Sequence, residues 1–522
     1  MTHLDPTDRA AYLATLTPGS DVDHRSTTFD SFLLTALLDA LRDPATTHPH
    51  LGNANFRGAT FTAGAYFQDA TFTADTEFRD ATFTADAYFR GATFTADAYF
   101  QGATFTAGAY FRDATFTVGA YFHGAMFTAG AYFHGATFTA DAYFNGVVVG
   151  GNASFTGVRF ESLAVLGPLW CWEELDLSGA VFGAPVVIEA AAGELRCGRT
   201  RWEATATLRL WHADLDMSGA VLNFPLAVVS AAAGTDPVRV LSVDGVDAAH
   251  LVLTDTDLTV CRFLGAFHLD QLRLEGDTRF ARTPPGTDLL RGIPLRWTDR
   301  LALAEEHHWR ALPTHRPRLR AGWTPAPPSP SGSPSTVPGP AALAALYRQL
   351  RKAFEDGKDE PGAADFYMGE TEMRRLDRRP GRNRAERGLL TAYWALSGYG
   401  LRASRAITWL LLAMTATVLA MMLWGLPTDD PKPQVVGKQV TPGQDVRLTV
   451  DTPDPELTGS PQERLTGKRA EKATRVVLNS VVFRSSGQNL TTTGTYVEMG
   501  SRLLEPVLLA LAVLAIRGRV KR

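Results

Sequence analysis

The clearest pattern along this chain is a phenylalanine that returns after alternating steps of five and six residues, from Phe56 to Phe144. An alanine stands two residues before nearly every phenylalanine, as Ala59 stands before Phe61. Residues two apart on an extended strand face the same side, so each unit predicts a short strand with one small and one large apolar group pointing inward. A helix is excluded, because five-residue steps at the 3.6-residue period would carry the phenylalanines right around it.

Short strands of this kind cannot bury their apolar sides alone and must stack into a solenoid. The eleven-residue unit recurs about ten times over residues 55–164. One Asp or Gly is inserted in each unit, as at Asp86 and Asp97, which predicts a widened corner and a coil made of two such units. The phenylalanines predicted to form the structural core of the repeat are Phe61, Phe72, Phe83, Phe94, Phe105, Phe116, Phe127 and Phe138.

These repeats resemble the pentapeptide-repeat family, whose units read small–x–apolar–x–x. The segment from Ala213 to Met217 (ADLDM) matches the family's best-known form of the repeat. The resemblance implies a right-handed quadrilateral β-helix with four pentapeptides in each coil. It also implies that the central phenylalanines and the preceding small residues lie inside the coil.

The solenoid is expected to continue in degenerate form over residues 165–320, because the pattern of Leu175–Phe182 returns at Leu215–Leu222. Residues 1–54 form an N-terminal segment. Within it, residues 30–42 have helical spacing behind an Asp N-cap and predict a capping helix, which an open solenoid end requires.

A change of composition marks the end of the solenoid. Residues 321–340 are rich in Pro, Ser and Gly and predict a disordered linker. Residues 341–400 predict a helical hairpin, Ala341–Glu355 and Pro361–Arg375, followed by a basic juxtamembrane helix. The hairpin is either a single tetratricopeptide-type interaction element or, as we favour, a plain hairpin that positions the solenoid above the membrane.

Residues 406–426 carry no charge and are long enough to span a hydrocarbon core, with Trp409 and Trp424 near the two ends. Arginines cluster on the N-terminal side of this transmembrane helix, which places that side in the cytosol. No secretory signal peptide is visible from Met1 to Arg25. The expected location is therefore the cell membrane, with the N-terminal β-helix in the cytosol.

A second transmembrane helix is predicted over residues 496–516, after an extracytoplasmic loop at 427–495. Glu498, Arg502 and Glu505 fall on one face of this helix, close enough in spacing to pair, and form a candidate intramembrane charge cluster. The basic tail 517–522 then lies in the cytosol. The alternative is an interfacial helix, because the apolar run alone is short. The fold class is thus mainly β, a pentapeptide-repeat solenoid followed by a helical hairpin and one or two C-terminal transmembrane helices.

Composition adds little to this outline. The net charge of −4 is too small to imply a nucleic-acid partner, and three widely spaced cysteines predict buried, reduced thiols. We find no catalytic motif in a supporting context, and we predict no catalytic, cofactor-binding or metal-binding residues. The run from Glu305 to His308 does not predict a metal site, because adjacent histidines point apart on a helix or a strand.

The sequence as a whole resembles bacterial membrane-associated pentapeptide-repeat proteins. It predicts a non-enzymatic, membrane-tethered scaffold that presents a rigid β-helical surface to an unidentified protein partner. The first alternative is a DNA-mimicking, gyrase-interacting protein, although residues 55–164 carry only nine acids against five arginines. The second alternative is a channel-like two-span protein, since the segment from Thr491 to Tyr496 loosely resembles a selectivity filter. The oligomeric state is not predicted.

Overall fold

The computed structural model describes residues 5–231, 237–284, 287–290, 293–296, 299–315, 320, 322–327, 337–378, 384–428, 434–437, 448–451, 457, 460–483 and 490–520. The chain divides between Met373 and Arg374 into two compact units. The first unit holds the solenoid and the second holds the apolar helices. Each unit is described by itself.

The first unit confirms the predicted fold class, because residues 50–275 form about ten turns of a parallel β-solenoid. In the regular part, Ala87 pairs with Ala109 and Tyr88 with Tyr110, so that one coil holds two of the eleven-residue units. The ring centroids of Phe72 and Phe94 in successive coils lie 4.7 Å apart. This distance is the ordinary spacing of hydrogen-bonded strands.

Each regular coil has four faces, which we number in chain order. Face 1 holds Val22–Asp23, Ala54–Asn55, Thr76–Glu77, Ala98–Tyr99, Ala120–Tyr121 and Ala142–Tyr143. Face 2 holds Thr28–Phe29, Thr60–Phe61, Thr82–Phe83, Thr104–Phe105, Met126–Phe127 and Val147–Val149. Face 3 holds Ala65–Tyr66, Ala87–Tyr88, Ala109–Tyr110, Ala131–Tyr132 and Ala153–Ser154. Face 4 holds His50–Leu51, Thr71–Phe72, Thr93–Phe94, Thr115–Phe116, Thr137–Phe138, Arg159–Phe160, Val181–Phe182, Arg201–Trp202 and Val221–Leu222.

The interior of the regular coils is filled by phenylalanine and alanine. All eight phenylalanines named above are at most 1% exposed, and the alanines that precede them are equally buried. Fully burying one such side chain contributes roughly 1.5–3 kcal/mol. The inserted aspartates secure the corner on the outside: Asp86 accepts a hydrogen bond from the Gly108 N–H of the next coil at 2.9 Å and from the Tyr88 hydroxyl at 3.0 Å. Asp97 makes the same pair of bonds one unit further on, to Gly119 and Tyr99.

The coil shortens in the degenerate section. Glu174 pairs with Glu194 and Leu175 with Leu195, a shorter step that corresponds to four pentapeptides without the insertion. The strands here are Val165–Cys171, Glu174–Asp176, Val186–Arg196, Ala206–Asp216, Leu226–Ser230, Arg239–Ser242, Leu251–Thr254 and Arg273–Glu275, with 3₁₀ turns at Ala248–His250 and Leu269–Gln271. All three cysteines are buried and unpaired, as predicted.

Helices α1 (Pro6–Thr15) and α2 (Ser31–Ala40) lie at the N-terminal end of the solenoid. Helix α2 is the predicted capping helix, and Asp30 caps it by accepting a hydrogen bond from the Leu33 N–H at 2.7 Å. The coil itself begins earlier than the predicted residue 55, because Val22 already pairs with Ala54.

The C-terminal end of the coil lies near Glu275, so the predicted boundary at residue 320 is wrong. The chain continues as a pair of antiparallel strands, Ala281–Arg282 and Leu301–Ala302, with a second pair at Thr287–Leu290 and Ile293–Arg296. Helices α3 (Ala304–Arg310), α4 (Pro340–Asp356) and α5 (Glu360–Leu376) follow.

Helices α4 and α5 form the predicted hairpin, and this hairpin packs on the open end of the coil. The ring of Phe280 lies 5.5 Å from that of Phe354 in α4 and 5.2 Å from that of Phe366 in α5. The hairpin therefore closes the apolar core of the solenoid, as terminal elements of repeat proteins do. The sequence did not indicate this role.

The second unit contains helices α6 (Arg384–Ser397), α7 (Ala403–Ala420), α8 (Gly467–Phe483) and α9 (Thr492–Val520), with strands at Gln434–Gly437 and Leu448–Asp451. A π-helical turn, Met421–Gly425, extends α7. Two helical segments are long and apolar enough to cross a membrane, Ala403–Gly425 and Thr492–Arg517. Only 22% and 28% of their most apolar windows are buried, so most of this apolar surface is exposed within the unit.

Candidate interaction surface and buried polar sites

Face 2 carries a strip of exposed and half-buried apolar side chains. The outward position is threonine in the first coils and changes to Met126, Val148 and Trp170 in successive later coils, which pair in register. Trp172 directly follows the strand that carries Trp170, and the ring of Trp211 lies next to that of Trp170. We call these five residues the face-2 strip. The exposed fractions are 49% for Met126, 42% for Trp170, 78% for Trp172 and 37% for Trp211.

Trp170 and Trp211 each lie on a strand of the coil. Trp170 pairs with Ala191 of the next coil, and Ala191 pairs with His212 of the coil after that. Because alanine leaves room above it, the rings of Trp170 and Trp211 reach across, with centroids 6.4 Å apart and planes at 17°. Exposed tryptophans on a rigid backbone are typical of protein-binding hot spots.

The other faces of the regular coils are polar or self-stacked. On face 3, Tyr66, Tyr88 and Tyr110 stack on one another with centroids 5.1 Å apart. On face 1, Tyr99 and Tyr121 do the same at 4.9 Å. Several surface acids pair with nearby arginines, as Asp80 with Arg57, Asp113 with Arg112, Glu161 with Arg159 and Asp214 with Arg239. Such pairing interrupts the continuous negative surface that a mimic of DNA requires.

A buried ionic cluster lies where the hairpin meets the coil end. The carboxylate of Glu306 accepts hydrogen bonds from Arg300 at 2.7 Å, from Arg310 at 2.7 Å and from the Tyr347 hydroxyl at 2.5 Å. Glu372 of α5 pairs with Arg310 at 3.0 Å and with Arg300 at 3.5 Å. All five side chains are buried. The cluster joins α3, α4 and α5, and its formal charges sum to zero.

The arginine charges in this cluster outweigh the effect of burial on the pKa of Glu306. Burial by itself disfavours the charged form of Glu306, but the guanidinium groups of Arg300 and Arg310 outweigh it and hold the pKa of Glu306 well below its usual range. Burial, and then the negative charge of Glu306, raise the pKa of Tyr347. The tyrosine therefore keeps its proton and donates a hydrogen bond to the carboxylate.

The neighbouring residues of the run Glu305–His308 have structural partners. Glu305 is buried and accepts hydrogen bonds from the backbone N–H groups of Phe263 and Leu264 at 2.5 and 3.0 Å. His307 Nε2 lies 3.0 Å from the Arg282 carbonyl oxygen. Among the described residues, no group of three or more His, Cys, Asp or Glu side chains is placed to hold a metal ion.

Helices α7 and α9 of the second unit contact each other closely. The Thr491 hydroxyl donates to the Trp424 carbonyl at 2.6 Å, and a Cβ atom on Gly494 would collide with the Gly425 carbonyl oxygen. Glycine therefore permits the helices to cross here. Residues 492–496 are helical, so they lack the extended row of carbonyls that a selectivity filter uses.

The three residues of the predicted charge cluster do not act together. Glu498 pairs with Arg502 at 2.7 Å within α9. Glu505 is fully buried and faces α7 instead, where its Oε1 lies 2.8 Å from the Thr417 hydroxyl oxygen. The Glu498–Arg502 pair thus lies within α9, whereas the carboxylate of Glu505 points to the neighbouring helix.

The geometry defines a repeat solenoid, a structural and interaction fold. Comparison with protein families identifies it: residues 48–93, 78–126 and 122–166 match the model of the family described as pentapeptide repeats, in nine copies. The regular part of the solenoid is thus built from pentapeptide repeats of this family. No curated protein and no solved structure matches it. The family model ends before Trp170, so it does not cover most of the face-2 strip.

Proposed function

We propose that this chain is a membrane-tethered scaffold that uses the face-2 strip to bind a protein partner. The observation that carries the proposal is that Trp170 and Trp211 are exposed side by side on a rigid coil, with a third exposed tryptophan, Trp172, two residues after Trp170. Exposed tryptophan costs solubility and is uncommon on surfaces that only face water. A large, stiff aromatic side chain loses little entropy on binding, so it suits a docking site.

The stacked coil supports this role because it holds the strip in a fixed geometry. The strands of Met126, Val148, Trp170 and Trp211 are each paired on both sides, and their inward residues, such as Phe127, Val149, Leu169 and Leu210, are buried. A preorganised surface avoids the ordering cost that a flexible one incurs on binding.

The membrane half of the proposal rests on the two apolar helices and on the positive charges around them. Arginines 379, 382, 384, 387, 402 and 405 precede the first span, and the basic tail follows the second. By the positive-inside rule, both termini and the solenoid lie in the cytosol, and residues 427–495 lie outside.

The interaction is tested on the full-length chain in the membranes of the cell it comes from, with a photo-crosslinker placed beside the strip. We expect one partner to be cross-linked by the parent chain and to be lost at least about tenfold in Trp172→Ala/Trp211→Ala. The matched control is Tyr88→Ala/Tyr110→Ala on face 3, which keeps the partner. Equal cross-linking in both double variants, at equal thermal stability, excludes the strip as the docking site.

The tether is tested by membrane fractionation of the full-length chain with and without residues 400–522. We expect the full-length chain to remain with membranes after alkaline carbonate washing. We expect the truncated chain to become soluble. Release of the full-length chain by carbonate excludes the two spans.

A further inference from the structure

The Glu505 carboxyl group lies in an environment with few polar neighbours. It is fully buried between α9 and α7, and its Oε2 atom has no hydrogen-bond partner among the described residues. Its Oε1 atom lies 2.8 Å from the Thr417 hydroxyl oxygen, and that hydroxyl also lies 2.9 Å from the Ala413 carbonyl oxygen. A hydroxyl has one hydrogen, so it can donate fully to only one of these two acceptors.

Within the described part of the surrounding helices, no cation is placed to neutralise a charge on Glu505. Helix α7 and its π-helical turn carry no charged residue from Ala406 to Leu426. On α9 itself, Arg502 pairs with Glu498. On α8, Arg469 donates to the carbonyl groups of Met422 and Leu426 beyond the end of α7. The charged residues of α6 lie in its first turn, at Arg384, Glu386 and Arg387, and Glu386 pairs with Arg374.

Two protonation states can be compared on this geometry. An ionised Glu505 would place a full negative charge in an apolar setting with a single hydrogen bond, which is a large desolvation penalty. A protonated Glu505 instead donates its O–H to the Thr417 oxygen, while Thr417 donates to the Ala413 carbonyl. Every hydrogen then has an acceptor. The protonated state therefore accounts for both short distances.

We propose that Glu505 and Thr417 form a proton-binding site between the two spans. This inference rests on the proposed function in that it requires α7 and α9 to lie in the membrane. The bound proton joins the helices through the chain of hydrogen bonds from Glu505 to Thr417 to Ala413. Glu498 has no share in the site, because its charge is matched by Arg502.

The proposal is tested with a hydrophobic carbodiimide, which reacts with protonated carboxyl groups inside membranes. The acid oxygen bonds to the central carbon of the reagent and the acid proton moves to a reagent nitrogen, giving an O-acylisourea. Migration of the acyl group to nitrogen then gives a stable N-acylurea. No atom leaves, so the labelled peptide gains the mass of the reagent. Full-length protein in its native membranes is treated at pH 8 and the α9 peptides are measured by mass spectrometry.

We expect Glu505 to be labelled at least about tenfold more than Glu498, since an ordinary glutamate with a pKa of about 4.3 is almost fully ionised at pH 8. Glu505→Gln should abolish the label on this peptide, and Glu498→Gln should leave it unchanged. Thr417→Val keeps the shape of the site but removes the acceptor. We expect this variant to retain the label and to lower the thermal stability of the membrane unit.

The outcomes separate the two proposals. A chain that stays with the membrane after carbonate washing but is labelled no more at Glu505 than at Glu498 overturns the proton site and leaves the tether standing. A chain that is released by carbonate overturns the tether, and the proton site with it.

Discussion

The two ends of the solenoid are closed in opposite ways. At the N-terminal end, the buried ring of His24 lies 5.5 Å from that of Phe29, 6.1 Å from that of Phe56 and 5.8 Å from that of Tyr12. This end continues the aromatic interior outward by one layer. At the C-terminal end, two arginines, two glutamates and a tyrosine around Glu306 join the hairpin to α3 and to Arg300, which follow the last coil.

The two kinds of closure differ in how much stability they provide and in how strictly they fix one arrangement of the helices. Aromatic packing tolerates small errors in position, because dispersion and burial are not directional. A buried ionic cluster returns little net stability when it is complete, but it becomes costly when one member is missing. The N-terminal end therefore gains stability from burial, whereas the C-terminal end fixes one arrangement of α3, α4 and α5.

The largest effect is expected from removing Glu306, the central carboxylate of the ionic cluster at the C-terminal end. Glu306→Ala leaves Arg300 and Arg310 buried without their shared carboxylate, which costs roughly 3–5 kcal/mol. We expect the hairpin to open, and amide hydrogen exchange in α4 and α5 should rise by at least about a hundredfold, since each 1.4 kcal/mol is tenfold. Exchange in α1 and α2 should not change.

Glu355→Ala on the same hairpin provides the matched control. Glu355 pairs with Arg351 at 3.3 Å, and its side chain is 54% exposed. Removing an exposed partner of this kind changes stability little. If Glu355→Ala opened the hairpin as much as Glu306→Ala does, the ionic cluster would not be what holds this end.

The second prediction concerns acid. Burial lowers the pKa of His24 to about 4, whereas the unfolded value is near 6.5. Between these values the unfolded state holds a proton that the folded state lacks, so stability is lost as the pH falls from 6.5 towards 4. At pH 5 the loss is about 2 kcal/mol, or roughly thirtyfold in the opening of the N-terminal end. Hydrogen exchange in α1 and α2, corrected for the intrinsic effect of pH, measures it.

His24→Leu isolates this effect, because it removes the titrating group and keeps an apolar side chain. In this variant the exchange of α1 and α2 should no longer depend on pH between 7 and 5. The C-terminal end should still weaken with acid, since burial also lowers the pKa of His307 and of His308, the latter to about 4. Undiminished acid sensitivity of α1 in His24→Leu would assign the effect to another group.

The two ends also differ in what the sequence could predict. Helix α2 was expected at 30–42 and begins at Ser31, because its Asp N-cap and apolar spacing are local signals. The phenylalanine interior was predictable for the same reason. The ionic end was not predictable, because Glu306 and Tyr347 are 41 residues apart and no periodic pattern links them. The run Glu305–His308 offered only a metal hypothesis to reject.

The face-2 strip was predictable from the sequence only in part. Once each coil is known to hold two eleven-residue units, Met126, Val148 and Trp170 fall in the column that begins with threonines, so the signal is present in the sequence. The shorter coils after Glu174 break that register. The approach of Trp211 to Trp170 therefore required the structure.

A smaller effect is expected from the cap of α2. Asp30→Ala removes the hydrogen bond to the Leu33 N–H and should cost about 1 kcal/mol, seen as faster exchange in the first turn of α2. Asp39→Ala at the other end of the helix is the control. Asp39 pairs only with the exposed Arg42 among the described contacts, and its loss should be within about 0.5 kcal/mol. Equal effects would mean that the helix end is held by burial of its leucines alone.

The smallest effect is expected for an exposed ion pair at the C-terminal end of the solenoid. Lys352 of α4 pairs with Asp270 of the last coil at 2.9 Å, with 55% of the lysine side chain exposed. Water and salt screen such a pair, so Lys352→Ala should leave the denaturation midpoint and the exchange of α4 unchanged within error, at low and at high salt. Lys352 and Arg300 both form ion pairs at this end, Lys352 with the last coil and Arg300 with α3 and α5, and the Arg300 pairs are buried whereas the Lys352 pair is exposed. If Lys352→Ala loosened α4 as Glu306→Ala does, charge alone, and not its burial, would decide how this end is closed.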